Sequence, residues 1–259
     1  MTAEGVVVRE RRGAVLVARL NRPAARNALN PELMAAVGAA LGDAEADPDI
    51  RVVVLTGTGD RAFCAGMDLQ AFSAGEEMGP GADAANRTFH RFLGGDVEIP
   101  VVGAANATAV AGGFELLLGC DVIVASEEAR FGLPEVKRGL FPAGGGTFLG
   151  TRIPLGVALE MALTGETVDA ARAYELGLVN AVVASAEVVP TALDYAERIA
   201  ANGPLGVRAA RELVRLGVRD AGRAAERQEE MSRVVFASQD AREGALAFIE
   251  KRSPVWQGR

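Results

Sequence analysis

Residues 106–121 read NATAVAGGFELLLGCD. The middle of this stretch, Ala111-Gly112-Gly113, carries almost no side chain, so the backbone can approach a ligand closely, and an apolar run with helical character follows. A helix opened at such a turn points its free N–H groups and the positive end of its dipole back at the turn, which favours an anion there. Glu115 falls in the first helical turn, which places an acid–base group beside oxyanion donors. Taken alone, the segment reads equally well as a tight strand-to-helix connection with an ordinary helix-start glutamate. The flanking sequence has to decide.

Working outward, residues 99–105 and 120–125 are apolar, β-rich runs on either side of this turn. A second strand–glycine–helix junction precedes them: residues 63–69 read FCAGMDL, breaking at Gly66 and entering a helix near Asp68. Downstream, FGLPE at 131–135 sets a proline just before a second carboxylate in apolar company, which makes Glu135 the natural partner of Glu115. The glycine triplet 144–146 is followed by Thr147 without the lysine of a phosphate loop, so it is read as turn geometry with N–H groups facing the site. Toward the N-terminus, residues 5–8 and 14–20 predict a hairpin across a charged turn at 10–13. Asn30, Pro31 and Glu32 then predict a capped helix over 31–46, and RVVVLT at 51–56 a buried strand. Residues 73–86 lack a period and predict a mobile loop, with helix only near 86–93. Short helices are expected at 147–151, 155–163 and 169–176. From 187 onward the pattern is helical throughout, including 221–240 and 241–252, with apolar stripes that need a partner surface.

The 259 residues are 49% hydrophobic, ample for a packed core without staples. A net charge of −7 argues against a nucleic-acid partner. Two separated cysteines in apolar settings, Cys64 and Cys120, fit a reducing compartment, and no run of about eighteen apolar residues is present, so a cytoplasmic protein with no membrane partner is expected. His90 is the single histidine, which makes a histidine-based triad hard to assemble; Cys64 lacks an activating base, and no zinc spacing exists.

Over nearly its whole length the chain resembles the crotonase superfamily, the enoyl-CoA hydratase/isomerase family. The resemblance rests on NRPAARNALN at 21–30, AFCAGMDL at 62–69, the stretch 106–121, FGLPE at 131–135, GGGT at 144–147, LTGETVDAARAYELGLVN at 163–180 and REGALAFIEKR at 242–252, all in order. It implies an α/β fold: a crotonase-like spiral of ββα units over 1–190 and a C-terminal helical region over 191–259 that mediates a homotrimer, often paired into a hexamer. It implies an acyl-coenzyme A thioester as substrate, so that coenzyme A belongs to the substrate and no separate cofactor or metal is needed. Carried over residue by residue, the oxyanion hole falls on the N–H groups of Met67 and Gly112, and the catalytic pair on Glu115 and Glu135. Contacts to the thioester fall on Arg26, Ala28, Ala65, Gly66, Asp68, Leu69, Gly113 and Pro134, and on Phe248 and Lys251 of the last helix. Two departures stand out: Ala111 occupies the place of a third glycine in many members, and bulky Phe114 directly precedes Glu115.

The leading expectation is an enoyl-CoA hydratase that adds water across the C2=C3 bond, for which two glutamates sharing a water can supply both base and acid. An isomerase or a carnitinyl-CoA dehydratase-like enzyme would keep the same oxyanion hole. A non-catalytic CoA-thioester or RNA-binding scaffold is the third reading; the intact carboxylate pair argues against it, and the acidic pI near 5.0 argues against RNA.

Overall fold

The structure, a computed structural model, describes residues 5–75, 81 and 83–259. Strands β1 (Val7–Arg12) and β2 (Val15–Leu20) pair antiparallel; α1 (Pro31–Ala46) leads to β3 (Val52–Gly57), and the short α2 (Leu69–Ser73) and α3 (Ala84–Gly94) lead to β4 (Val101–Ala105). Next come β5 (Ala109–Val110), α4 (Gly112–Gly119), β6 (Val122–Ser126), β7 (Arg130–Gly132), α5 (Leu155–Thr164), β8 (Thr167–Asp169), α6 (Ala170–Glu175) and β9 (Ala181–Val183). Helices α7 (Val188–Ala200), α8 (Pro204–Arg219), α9 (Ala221–Ala237) and α10 (Gln239–Glu250) complete the chain.

A six-stranded sheet runs β1-β2-β3-β4-β6-β9, parallel from β2 onward, and a three-stranded sheet runs β5-β7-β8. The large sheet is covered on both faces, which is why β3 is buried at all six positions. Val53, Leu55, Val101, Ile123 and Ala125 face α1, α3 and α4, whereas Val52, Val54, Val102 and Val124 face Val188, Ala192, Leu193 and Ala196 of α7. Each fully buried Val, Leu or Ile among these contributes about 1.5–3 kcal/mol.

Several boundaries differ from the sequence reading for identifiable reasons. β1 continues through Arg12 because an edge strand leaves its side chains in water, so the charged residues 9–12 pair with β2 rather than forming the turn. A boundary at 190/191 cuts through α7, which covers the second face of the sheet; the appended helices begin at α8. Residues 84–94 form α3, capped by Asp83, and the part of the expected loop at 76–80 and 82 lies outside the described residues. Ser238 splits the long tail, its side chain accepting from Ala241 N–H to start α10.

Candidate active site

The two strand–glycine–helix junctions meet. Cys64 and Ala109 form a parallel bridge, and the Val110 N–H donates to the Cys64 carbonyl at 3.2 Å. α4 seats directly on that carbonyl: a Cβ placed on Gly113 would lie 2.1 Å from the Cys64 oxygen. Gly113 is thus a packing requirement, and the structure shows it against backbone. Gly66 has φ +87°, and a Cβ there would lie 2.6 Å from the Ala111 Cβ and 3.3 Å from the Gly112 nitrogen. Leu29 bridges to Met67 in parallel fashion, donating to the Gly66 carbonyl at 2.8 Å and accepting from Asp68 N–H at 2.8 Å. That pairing turns the Met67 N–H away from Leu29. Neither the Met67 nor the Gly112 N–H has a hydrogen-bond partner among the described residues.

Ala111, the N-cap of α4, has φ 51° and ψ −133°, a conformation that a side chain disfavours. It is held there because its N–H donates to the Gly132 carbonyl at 2.9 Å while its own carbonyl accepts from Phe114 and Glu115 N–H at 2.8 and 3.0 Å.

Glu115 follows in the first turn of α4 and is 6% exposed. Its Oε1 accepts from Gly144 N–H at 2.7 Å and Gly146 N–H at 2.9 Å, so the glycine triplet fixes one carboxylate oxygen. Burial raises the Glu115 pKa above the ordinary 4.5, against the opposing pull of the Gly146 and Gly144 donors. Glu135 sits in the 3-10 helix Pro134–Arg138, and its Oε2 is buried with no hydrogen-bond partner. Burial pushes its carboxyl up to about 7; its own backbone N–H pulls the other way, and the neighbouring Glu115 charge adds to the rise. The structure therefore brings the two carboxylates of the sequence reading into electrostatic contact. A carboxyl titrating near neutrality with an unpaired oxygen is suited to holding and transferring a proton.

The loops that carry Arg26, Ala28 and Asp68 are braced against each other. Arg26 has φ 53° and accepts Ala65 N–H on its carbonyl at 3.1 Å. Asp68 caps α2 through Gln70 N–H at 3.2 Å and Ala71 N–H at 3.3 Å, and pairs with Arg22 at 3.1 Å. Arg22 also donates to the Ala28 carbonyl. Asp68 is thus tied up in structure, its pKa lowered by these N–H donors and by Arg22 despite the opposing effect of burial. Leu69, 46% exposed, opens α2, and Pro134 opens the 3-10 helix that carries Glu135.

Sequence reasoning missed Asn27, which is fully buried. Its amide donates to the Thr58 and Ala62 carbonyls, both at 3.0 Å, and its Oδ1 accepts Arg22 N–H at 2.9 Å, so it locks the 22–30 loop to the 58–62 turn. The signal available was an asparagine just after a proline turn, a residue type that tolerates its φ of 54°.

Phe248 and Lys251 are not joined to this site within the chain. Phe248 is 85% exposed, and Lys251 is the left-handed cap of α10. α10 is held instead at the α7–α8 corner, where Trp256 Nε1 donates to the Ala201 carbonyl at 2.7 Å, and by buried Asp240, which accepts the N–H groups of Gln257 and Gly258 at 2.7 and 2.9 Å. Cys64 is fully enclosed and its thiol is pushed up to about 12 by burial, so it stays a neutral apolar group. Among the described residues no helix is long and apolar enough to cross a membrane.

Comparison with known proteins bears directly on this geometry. The family model described as enoyl-CoA hydratase/isomerase matches residues 10–259. Enoyl-CoA hydratase EchA19 of Mycobacterium tuberculosis is 40% identical over 255 residues, 96% of each chain, and carnitinyl-CoA dehydratase of Proteus mirabilis is 39% identical over 259 residues, 96% of this chain and 97% of the relative. The crystal structure of an enoyl-CoA hydratase from M. tuberculosis H37Rv superposes with a TM-score of 0.91 at 40% identity, covering 99% of this chain and all of that one. With the motifs in order, the fold matched end to end and both carboxylates in place, the chain belongs to the enoyl-CoA hydratase/isomerase family, the crotonase superfamily.

Proposed function

We propose that the protein is an enoyl-CoA hydratase, adding water across the C2=C3 bond of a 2-enoyl-CoA thioester. The observation that carries this reading is the carboxylate pair: Glu115, one oxygen fixed by two N–H donors, beside Glu135, raised to about 7 with an oxygen left unpaired. The thioester oxygen lies between the Met67 and Gly112 N–H groups, which strengthen as it gains enolate charge; one such donor is typically worth about 2.7–4 kcal/mol. The free oxygen of Glu115 orients a water and takes its proton as the oxygen adds to C3. Glu135, protonated near neutrality, gives a proton to C2. The two titrate as a coupled pair, so the proton belongs to the site before it belongs to either residue. Dehydration of a 3-hydroxyacyl-CoA is the same path reversed, and the near-equal similarity to carnitinyl-CoA dehydratase supports that direction as a second reading.

The exposed apolar faces of the last helices, Val214, Val234, Phe236, Phe248 and Ile249, support assembly into a trimer or a pair of trimers, in which Phe248 and Lys251 reach a neighbouring subunit's thioester site. A cytoplasmic role in fatty acyl metabolism fits this substrate class. Mixing the protein with short, medium and branched 2-enoyl-CoAs and following the loss of conjugated thioester absorbance tests the assignment. Turnover of at least one substrate is expected; absorbance unchanged across the panel, with isomerisation of a 3-enoyl-CoA instead, contradicts it.

A further inference from the structure

Helix α4 carries Gly112 and Glu115 in its first turn, and at its other end the last carbonyls need partners that the helix itself cannot supply. Two arginines supply them. Arg152 donates through Nη1 to the Leu118 carbonyl at 3.1 Å and through Nη2 to the Cys120 carbonyl at 2.9 Å. Arg215 of α8 donates to the Gly119 and Cys120 carbonyls at 2.9 and 3.0 Å, and its Nε donates to Asp121 at 2.8 Å. Cations are favoured at this negative end of the helix dipole.

The two arginines differ in what they are attached to. Arg152 ends the 3-10 helix Gly146–Thr151, its own N–H donating to the Leu149 carbonyl at 2.9 Å. That 3-10 helix starts at Gly146, whose N–H, together with that of Gly144, holds Glu115 Oε1. Residues 144–152 are thus fastened to α4 twice, at Glu115 in the first turn and at the carbonyls of the last. The lengths match, since the eight residues of α4 and the six of the 3-10 helix each span about 12 Å. A short 3-10 helix has poor hydrogen-bond geometry and little stability of its own, so its placement depends on what fastens its ends. Leu149 pins the middle at 2% exposure, and Leu93 of α3 closes over the loop, where a Cβ on Gly145 would lie 2.7 Å from the Leu93 carbonyl oxygen. These are packing contacts; the hydrogen bonds that tie the C-terminal end to α4 come from Arg152.

We propose that Arg152 is a positioning residue for Glu115: by fastening the end of the Gly146–Thr151 helix to the last carbonyls of α4, it keeps the Gly144 and Gly146 N–H groups against the Glu115 carboxylate. Its effect on rate rests on the hydratase reading, whereas its effect on Glu115 rests on geometry alone. The consequence is electrostatic. Burial raises the Glu115 pKa and the two N–H donors oppose the rise, so a segment that drifts from Glu115 lets that pKa climb further. Glu135 is the ionisable group that faces Glu115, and Arg215, Asp121 and Cys120 are those that face Arg152.

Arg152→Met, Arg152→Lys and Arg215→Met, each in the full-length protein, test the role. Titration of Glu115 is followed through its carboxyl carbon-13 resonance, identified by its absence from Glu115→Gln, which needs no turnover. Arg152→Met is expected to move the midpoint up by about one pH unit. Arg152→Lys should move it the same way by less, because one ammonium lacks the fork that reaches both carbonyls. Arg215→Met removes a cation from the same helix end but is not attached to residues 144–152, so it should lower Tm and leave the midpoint in place. On an enoyl-CoA that the parent hydrates, Arg152→Met should lower kcat about 10–10²-fold with KM little changed, and the acid limb of kcat/KM should move to higher pH with the titration. A Glu115 midpoint at the parental pH in the Arg152 variants, or a shift in Arg215→Met as large as that in Arg152→Met, would overturn the proposal; should Arg152→Met not fold, the lysine variant alone decides it. Shifted midpoints in a parent that hydrates no enoyl-CoA would sink the hydratase reading and leave the positioning role standing.

Discussion

Gly66 packs so tightly against Ala111 that a Cβ on the glycine would stand 2.6 Å from the alanine's own Cβ, and Gly66 also has φ +87°. The contact joins the loop that offers Met67 to the helix start that offers Gly112. Gly66→Ala is therefore expected to part the two donors: kcat/KM on an enoyl-CoA should fall by about 10²–10³. Thermal unfolding should show a loss of about 1–3 kcal/mol from the strained backbone. Near-normal kinetics in this variant would show that the junction does not position the oxyanion donors.

Ala111 is the other half of the contact, and its φ of 51° with ψ −133° is one that glycine adopts without cost. Ala111→Gly should raise thermal stability, because relief of about 1–3 kcal/mol of strain outweighs roughly 0.5–1 kcal/mol of added unfolded-state entropy. A lower Tm in the glycine variant would mean the turn is held without strain.

Burial of the Glu135 carboxyl sets a pH dependence for both activity and stability. Its folded-state pKa is raised from 4.5 to about 7, so protonation favours the folded state; the contribution is complete below pH 4.5 and is lost as pH rises through 7. Glu135→Gln, which cannot ionise, should thus gain Tm relative to the parent at pH 8 and show little gain at pH 4.5. If protonated Glu135 is the proton donor, kcat/KM of the parent falls tenfold per pH unit above about 7. Differential calorimetry and rate profiles over pH 5–9 check both limbs; a rate still rising above pH 8 contradicts the role of Glu135 as the acid.

Asn27 offers a stability test away from the chemistry. Its buried amide satisfies the Thr58 and Ala62 carbonyls and the Arg22 N–H, so Asn27→Leu leaves three backbone groups without partners. The expected cost is about 2–4 kcal/mol in denaturant unfolding, from unsatisfied groups worth about 1–3 kcal/mol each that partly recover water.

The central junction was legible in the sequence because its residues are locally decisive: paired glycines, a helix-start glutamate and flanking β-branched runs leave few alternatives. The same held for the α1 cap, where Asn30 Oδ1 accepts Leu33 N–H as its residue type predicts. What was hidden depends on distant parts of the chain. β1 looks like a charged turn until β2 pairs with it, and nothing near residue 190 shows that α7 covers the sheet rather than joining the tail. Arg211 and Arg215 of α8 reach back about ninety residues to Asp121, a pairing that no local pattern encodes.

The central claim is that Glu115 and Glu135 act on one water as a unit, and the steady-state hydration rates of Glu115→Gln, Glu135→Gln and the double variant on the same enoyl-CoA test it most directly. Each single substitution should lower kcat by about 10²–10⁴-fold with little change in thioester affinity, because the oxyanion donors are backbone groups that neither change removes. The double variant should be scarcely worse than either single one, as expected for residues that work together. One substitution abolishing turnover while the other is mild would point to a single-base isomerase, and near-full hydratase activity in both single variants would contradict the paired-carboxylate mechanism outright.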